Sequence, residues 1–193
     1  MRFHLVQLAV LAISFLPLGA QITYKVDQAH SEVGFRVRHL VTRVSGRFHG
    51  FDGRILLDEK DLAQSSVTFT IQAATLDTAL EARDKHLKGP DFFDVDHFGQ
   101  ITFQSAQVLD RGQGRLDVTG DLTIRGITKR VTIMAVSLGT VQTPFKDTRA
   151  GFEGQLKVSR KDYGMTWNLP LGLGGTVLGD EVDITLALEV IKQ

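Results

Sequence analysis

The chain has 193 residues, 42% hydrophobic and 23% charged, enough for one well-filled domain. Lysine plus arginine equals aspartate plus glutamate at 22 each, so no basic excess points to nucleic acid or an anionic surface. With no cysteine, there are no disulfides, thiolate nucleophiles, zinc–cysteine sites, iron–sulfur clusters or lipid-modified N-terminal cysteine.

Residues 1–20, MRFHLVQLAVLAISFLPLGA, differ from the rest of the chain. A short positive start at Arg2, an apolar run from Leu5 to Leu16, Pro17 and a closing Ala20 form the layout of a secretory signal peptide. Cleavage is expected after Ala20, leaving residues 21–193 as one domain with a net charge of −1. An uncleaved anchor is the alternative, but the uninterrupted apolar core is short for a bilayer.

From Gln21 onward the hydrophobic period is two, the mark of strands with one dry face. Val33, Phe35, Val37 and His39 share a face against Glu32, Gly34, Arg36 and Arg38. Residues 43–57 also alternate, but parity switches beside Gly50, which predicts a bulge bending one long strand. Val67, Phe69 and Ile71 come next. Asp77 is placed to cap a helix running through Leu80, Arg83 and Leu87, stopped at Gly89 and Pro90, with a second helical turn at PDFF. Strands resume with Ile101 and Phe103, then Leu116 to Ile124, Val131 to Ala135, Phe152 to Val158, and Val182 to Val190.

This predicts an all-β chain of eight antiparallel strands with one short helix and a helical turn, at about 77–94. A one-sided sheet of that size must cover its dry face. Closure into a barrel does so and removes the edges, with a two-layer sandwich as the competitor.

Catalytic signatures are missing. No serine has glycine two residues before and two after, and HExxH, Walker and GxGxxG motifs are absent. The glycines of PLGLGGTVLG, 170–179, lie before a strand rather than a helix and read as a rim loop. One stretch resists: RDKHLKGPDFFDVDHFGQITF, 83–103, crowds acids, histidines and phenylalanines together. Asp84, His86, Asp94 and His97 could supply an acid–base pair or a metal site, the enzyme alternative. No two histidines sit at a metal-ligand spacing on a helix or strand, so the preferred reading is structural, with Asp91 and Asp94 capping turns and Arg83 pairing with Asp84.

Phenylalanine is the more unusual feature. Ten lie between Phe35 and Phe152, joined by Trp167; each alone reads as ordinary core. Small residues at inward parity, Gly46, Gly120, Ala135, Ala150 and Gly154, weigh toward an apolar cavity over a solid interior. The expected wall comprises Phe35, Val37, His39, Phe48, Phe69 and Ile71. Phe92, Phe93, Phe103, Leu122, Ile124, Phe152, Leu156 and Trp167 complete it.

YKVDQAHSEVGFRVRHL, VSGRFHGFDGRI, RDKHLKGPDFFDVDHFGQITFQS, GDLTIRGITKRV, RKDYGM and GDEVDITLALEV occur in order from Tyr24 to Val190. In this set the chain resembles the YceI-like family, the polyisoprenoid-binding proteins. It departs at FGQ, 98–100, where the family commonly has an aromatic followed by proline. The resemblance implies a lipocalin-like barrel enclosing a long apolar ligand: a polyprenyl chain, an isoprenoid quinone or a fatty amide. It also implies export to the periplasm, a transport or storage role without catalysis or cofactor, and transient contact with a membrane or lipid donor. Similar barrels often pair, so a homodimer is compatible with it. On this reading 83–103 is a lid at the barrel mouth, and His39 is the residue expected to meet a polar head group.

Overall fold

The computed structural model describes residues 21–172 and 174–193. The expected signal peptide at 1–20 lies outside them.

Among the described residues, eleven strands and one α-helix alternate with short turns. They are β1 (Ile22–Val26), β2 (Glu32–His39), β3 (Thr42–Phe48), β4 (Phe51–Leu57), β5 (Ser66–Gln72) and β6 (Leu76–Asp77). After α1 (Glu81–Lys88) come β7 (Gln100–Gly112), β8 (Arg115–Ile124), β9 (Ile127–Gln142), β10 (Thr148–Ser159) and β11 (Leu178–Lys192). All named pairings are antiparallel, and β1 meets β11 to close the sheet.

The ring has eight strand positions because two of them are interrupted. β1 pairs with the end of β11 at Val26 and Val190, and β2 with its beginning at His39 and Leu178. β3 and β4 form the second, bent around His49 and Gly50, where the sequence parity switches. Gly50 can make that bend because a Cβ there would lie 2.8 Å from Thr75 Cγ2, while its amide donates to Thr75 Oγ1 at 2.8 Å. The bend swings β4 onto β5 and leaves β3 with only the two-residue β6 beside it. The opening is filled by α1 and the turns after it.

The dry face keeps the predicted alternation. Val118, Leu122 and Ile124 of β8 are buried, as are Leu156 and Val158 of β10. Tyr24, Val33 and Val190 are almost fully buried at the seam. Burial of such faces at about 25 cal/mol per Å² of apolar surface is what holds the ring closed.

The helix starts later than predicted, at Glu81 rather than Asp77. Asp77 belongs to β6, paired with Arg47, and its Oδ1 accepts from the Ala79 amide instead of capping a helix. Ala79 has φ +61, which breaks any helix through it. Asp84 instead reaches back, accepting from the Thr78 amide at 2.9 Å. The second helical turn at PDFF is a run of hydrogen-bonded turns.

Candidate functional site: a lidded apolar cavity

The barrel encloses a cavity of about 300 Å³ whose wall is almost wholly apolar. β2 supplies Phe35, Val37 and His39, and β3 supplies Phe48. β5, β7, β8 and β10 contribute Phe69, Ile71, Phe103, Leu122, Ile124 and Leu156. Phe92, Phe93 and Trp167 close it from the lid side. The exception among the sequence-predicted wall residues is Phe152. It faces Leu188 and packs against the core without reaching the cavity. Phe145, grouped with the aromatics by composition, is 88% exposed in the β9–β10 turn.

Two of the inward glycines expected to leave room, Gly46 and Gly120, instead lie beneath phenylalanine rings, as does Gly53, which the sequence does not single out; Gly154 meets Ile133 and Leu186. A Cβ at Gly46 would lie 2.7 Å from Phe35 Cε1, one at Gly53 2.5 Å from Phe69 Cδ2, and one at Gly120 2.6 Å from Phe103 Cζ. The rings lie over glycines and leave the centre open.

The lid is an aromatic cluster. Phe92, 5% exposed, stands 5.5 Å from Trp167, and His86 stands edge-on to both, at 5.0 and 4.9 Å between ring centroids. Phe93 meets Phe48 edge-on at 5.7 Å. The turns are tied back onto the end of α1 by the Phe93 amide donating to Leu87 O and the Val95 amide to Lys88 O.

Among the described residues, four charged or titratable side chains touch the cavity: His39, Arg83, His86 and Arg160. Arg83 donates to Thr78 Oγ1 and O at 2.7 and 2.6 Å. His86 Nε2 lies 3.0 Å from Asp91 Oδ2. Arg160, 3% exposed, donates to the carbonyls of Gly179, Met165 and Trp167 and to Asp180. Burial pulls its pKa below the usual guanidinium value, with Asp180 opposing. His39, half-buried at the end of β2, has none of these partners and faces the cavity from the rim.

The residues of the enzyme alternative are not brought together. Asp84 binds Thr78, His86 pairs with Asp91, and His97 Nδ1 lies 2.9 Å from Asp94 Oδ1. His97 is fully outside the cavity wall, and its pKa is raised by the Asp94 carboxylate. Arg83 and Asp84 both converge on Thr78 rather than pairing with each other. Among the described residues the one ligand-type cluster is Asp27, His30 and Glu189. Arg149 already bonds Asp27 and Glu189, so the guanidinium supplies the cation there.

Sequence reasoning missed, among others, Arg83, Arg160, Met165, Ile133 and the β11 wall of Leu178, Val182, Ile184, Leu186 and Leu188. The β11 positions shared the inward parity and could have been named; the two arginines carried no such signal.

A closed antiparallel barrel around a dry, lidded hollow is the architecture of barrels that hold one small apolar ligand. The chain belongs to the YceI-like family: the YceI-like domain matches residues 24–190. It is 39% identical over 184 residues to a UPF0312 protein of Vibrio parahaemolyticus, covering 92% of each chain. Its structure is similar to BcnA of Burkholderia cenocepacia, with TM-score 0.74, 26% identity and coverage of 85% of this chain and 98% of that one. It also shares its fold with a polyisoprenoid binding domain from Saccharophagus degradans implicated in plant cell wall breakdown (TM-score 0.63, 14% identity, 88% and 98% covered).

Proposed function

We propose that the protein is a non-catalytic carrier or reservoir for a long-chain isoprenoid-type lipid: a polyprenyl chain, an isoprenoid quinone or a fatty amide. The observation that carries this reading is the cavity, whose wall is almost wholly apolar, with His39, Arg83, His86 and Arg160 as its polar side chains. Each methylene moved from water into such a wall is worth about 0.8 kcal/mol, so a long chain gains most from enclosure along its length. The fold shared with the polyisoprenoid binding domain of S. degradans supports the ligand class. The signal-peptide layout of residues 1–20 supports export to the periplasm.

The cavity volume, about 300 Å³, is at the lower edge of the range for ligand pockets. A long chain therefore fills it by displacing the lid, and Phe92, Phe93 and Trp167 are the side chains that must yield. His39 is the group placed to meet a polar head at the rim.

Titration with a polyprenol and with a plain alkane of matched length, monitored by Trp167 fluorescence, tests this. Saturable binding of both is expected, with His39→Phe weakening the polyprenol more. Equal losses remove the head-group role of His39, and no binding of either removes the carrier reading.

A further inference from the structure

Folding alone does not explain the β2–β3 hairpin tip. His39 pairs with Thr42, leaving Leu40 and Val41 as a two-residue turn. Leu40 has φ +50, a conformation that such turns usually assign to glycine, asparagine or aspartate. The β8–β9 hairpin places a glycine second, Gly126 at φ +69, and itself carries a non-glycine, Arg125 at φ +49, in the first position. Here a leucine adopts it while 43% exposed, and Val41 beside it is fully exposed. Neither strain nor exposure is repaid by packing within the barrel.

A second apolar loop lies against this tip. The Leu40 amide donates to Val177 O at 2.8 Å, and Val177 donates to Leu169 O at 3.0 Å. Arg38 bridges the two, donating to Leu40 O and Thr176 O. Leu169 and Leu171 are 52% and 38% exposed. Both loops border the cavity: His39 and Trp167, the residues leading into them, line its wall, as does Leu178. Residues 39–42, 168–172 and 174–177 contain no Asp, Glu, Lys or Arg, and the nearest charges flanking the hairpin are Arg38 and Arg43.

We propose that Leu40, Val41, Leu169 and Leu171 form a docking rim that seats the cavity mouth on a phospholipid bilayer. This surface fits a bilayer because apolar tips enter the acyl boundary while Arg38, whose partners are neutral carbonyls, brings a positive charge to the phosphate head groups; Arg43 is already paired with Asp183. Resting on the carrier reading, it adds the route: an apolar ligand passes between bilayer and barrel without crossing water.

The test is flotation of the purified protein with vesicles of phosphatidylethanolamine and phosphatidylglycerol. Wild type is compared with Val41→Asp, Leu169→Asp and a control, Leu138→Asp, in the exposed apolar stripe on β9. Wild type and control are expected to float, and each rim variant to lose roughly tenfold or more in partitioning. Circular dichroism melts confirm folding, and uptake of a water-soluble fluorescent fatty-acid analogue, expected unchanged, reads the cavity independently. Wild type that does not float, or rim variants that float like it, overturns the rim. So does a dimer in light scattering that Val41→Asp converts to monomer, which assigns the patch to self-association. Loss of dye uptake in all proteins with flotation intact overturns the carrier reading and leaves the rim standing.

Discussion

Trp167 and His86 meet edge to face, their ring centroids 4.9 Å apart and their planes perpendicular. One residue lies in the loop after β10 and the other on α1, so this contact latches the lid to the barrel. Aromatic pairs of this geometry are worth about 0.5–1.5 kcal/mol beyond burial. His86→Ala is therefore expected to speed ligand release by roughly three- to tenfold with little change in melting temperature. Trp167 is the sole tryptophan, so stopped-flow fluorescence reads its environment directly. An unchanged release rate would show that the lid is held elsewhere.

The phenylalanine seats predict a sharp contrast between two alanine substitutions. Gly120→Ala meets both the Phe103 ring and the Gln104 carbonyl oxygen, and backbone cannot swing away. It should cost about 1–3 kcal/mol in chemical denaturation. Gly46→Ala meets mainly the Phe35 ring, and the methyl of Thr78. Displacing that ring into the cavity should lower ligand affinity more than stability. Equal and small effects from both would mean that the rings are not seated on the glycines.

Arg160→Met is expected to destabilise by about 3 kcal/mol, because three carbonyls and Asp180 lose a buried donor. The carbonyls belong to Met165, Trp167 and Gly179, so the loop carrying Trp167 should loosen before the barrel does. Hydrogen exchange at 165–169 measures that ordering. Uniform protection loss across the barrel would contradict it.

At the seam, Arg149 bonds Asp27, Asp147 and Glu189. Asp27 is held below the usual carboxylate range first by His30, with help from Arg149, and Asp147 first by Thr143 and then by Arg149. Carboxylates with depressed folded pKa values contribute stability above their unfolded value, about 3.9, and lose it as pH falls through the folded value. The melting temperature should therefore fall on acidification below about pH 4, and Arg149→Met should flatten that fall while lowering stability at neutral pH. An acid limb of unchanged steepness in the variant would place the acid sensitivity in other carboxylates.

Much of this was legible in the residues. Period-two alternation identifies the barrel strands, and the parity switch beside Gly50 marks the bend that opens the wall for the lid. Position along a strand was not legible: Phe152 has inward parity and pairs with Leu188, a wall residue, yet stays out of the cavity wall, beside the register shift at Gly151 and Phe152. The purpose of Gly46 and Gly120 was hidden because a glycine's vacancy is filled by whichever neighbour lies over it, and only the register between strands decides that. Arg160 was hidden for the same reason, since its carbonyl partners lie on a loop and on the next strand. The late start of α1 reflects Asp77 being held in β6, a pairing with Arg47 that local capping rules cannot anticipate.

The central claim is that the hollow of the barrel takes up a long apolar chain. Native mass spectrometry of the purified protein, with organic extraction and identification of what it carries, tests this most directly. Ile133→Trp, filling the cavity from β9, serves as comparison. One long-chain lipid per wild-type barrel is expected, and little or none in the variant. A wild-type protein that emerges empty and stays empty when polyprenyl lipids are supplied would contradict it.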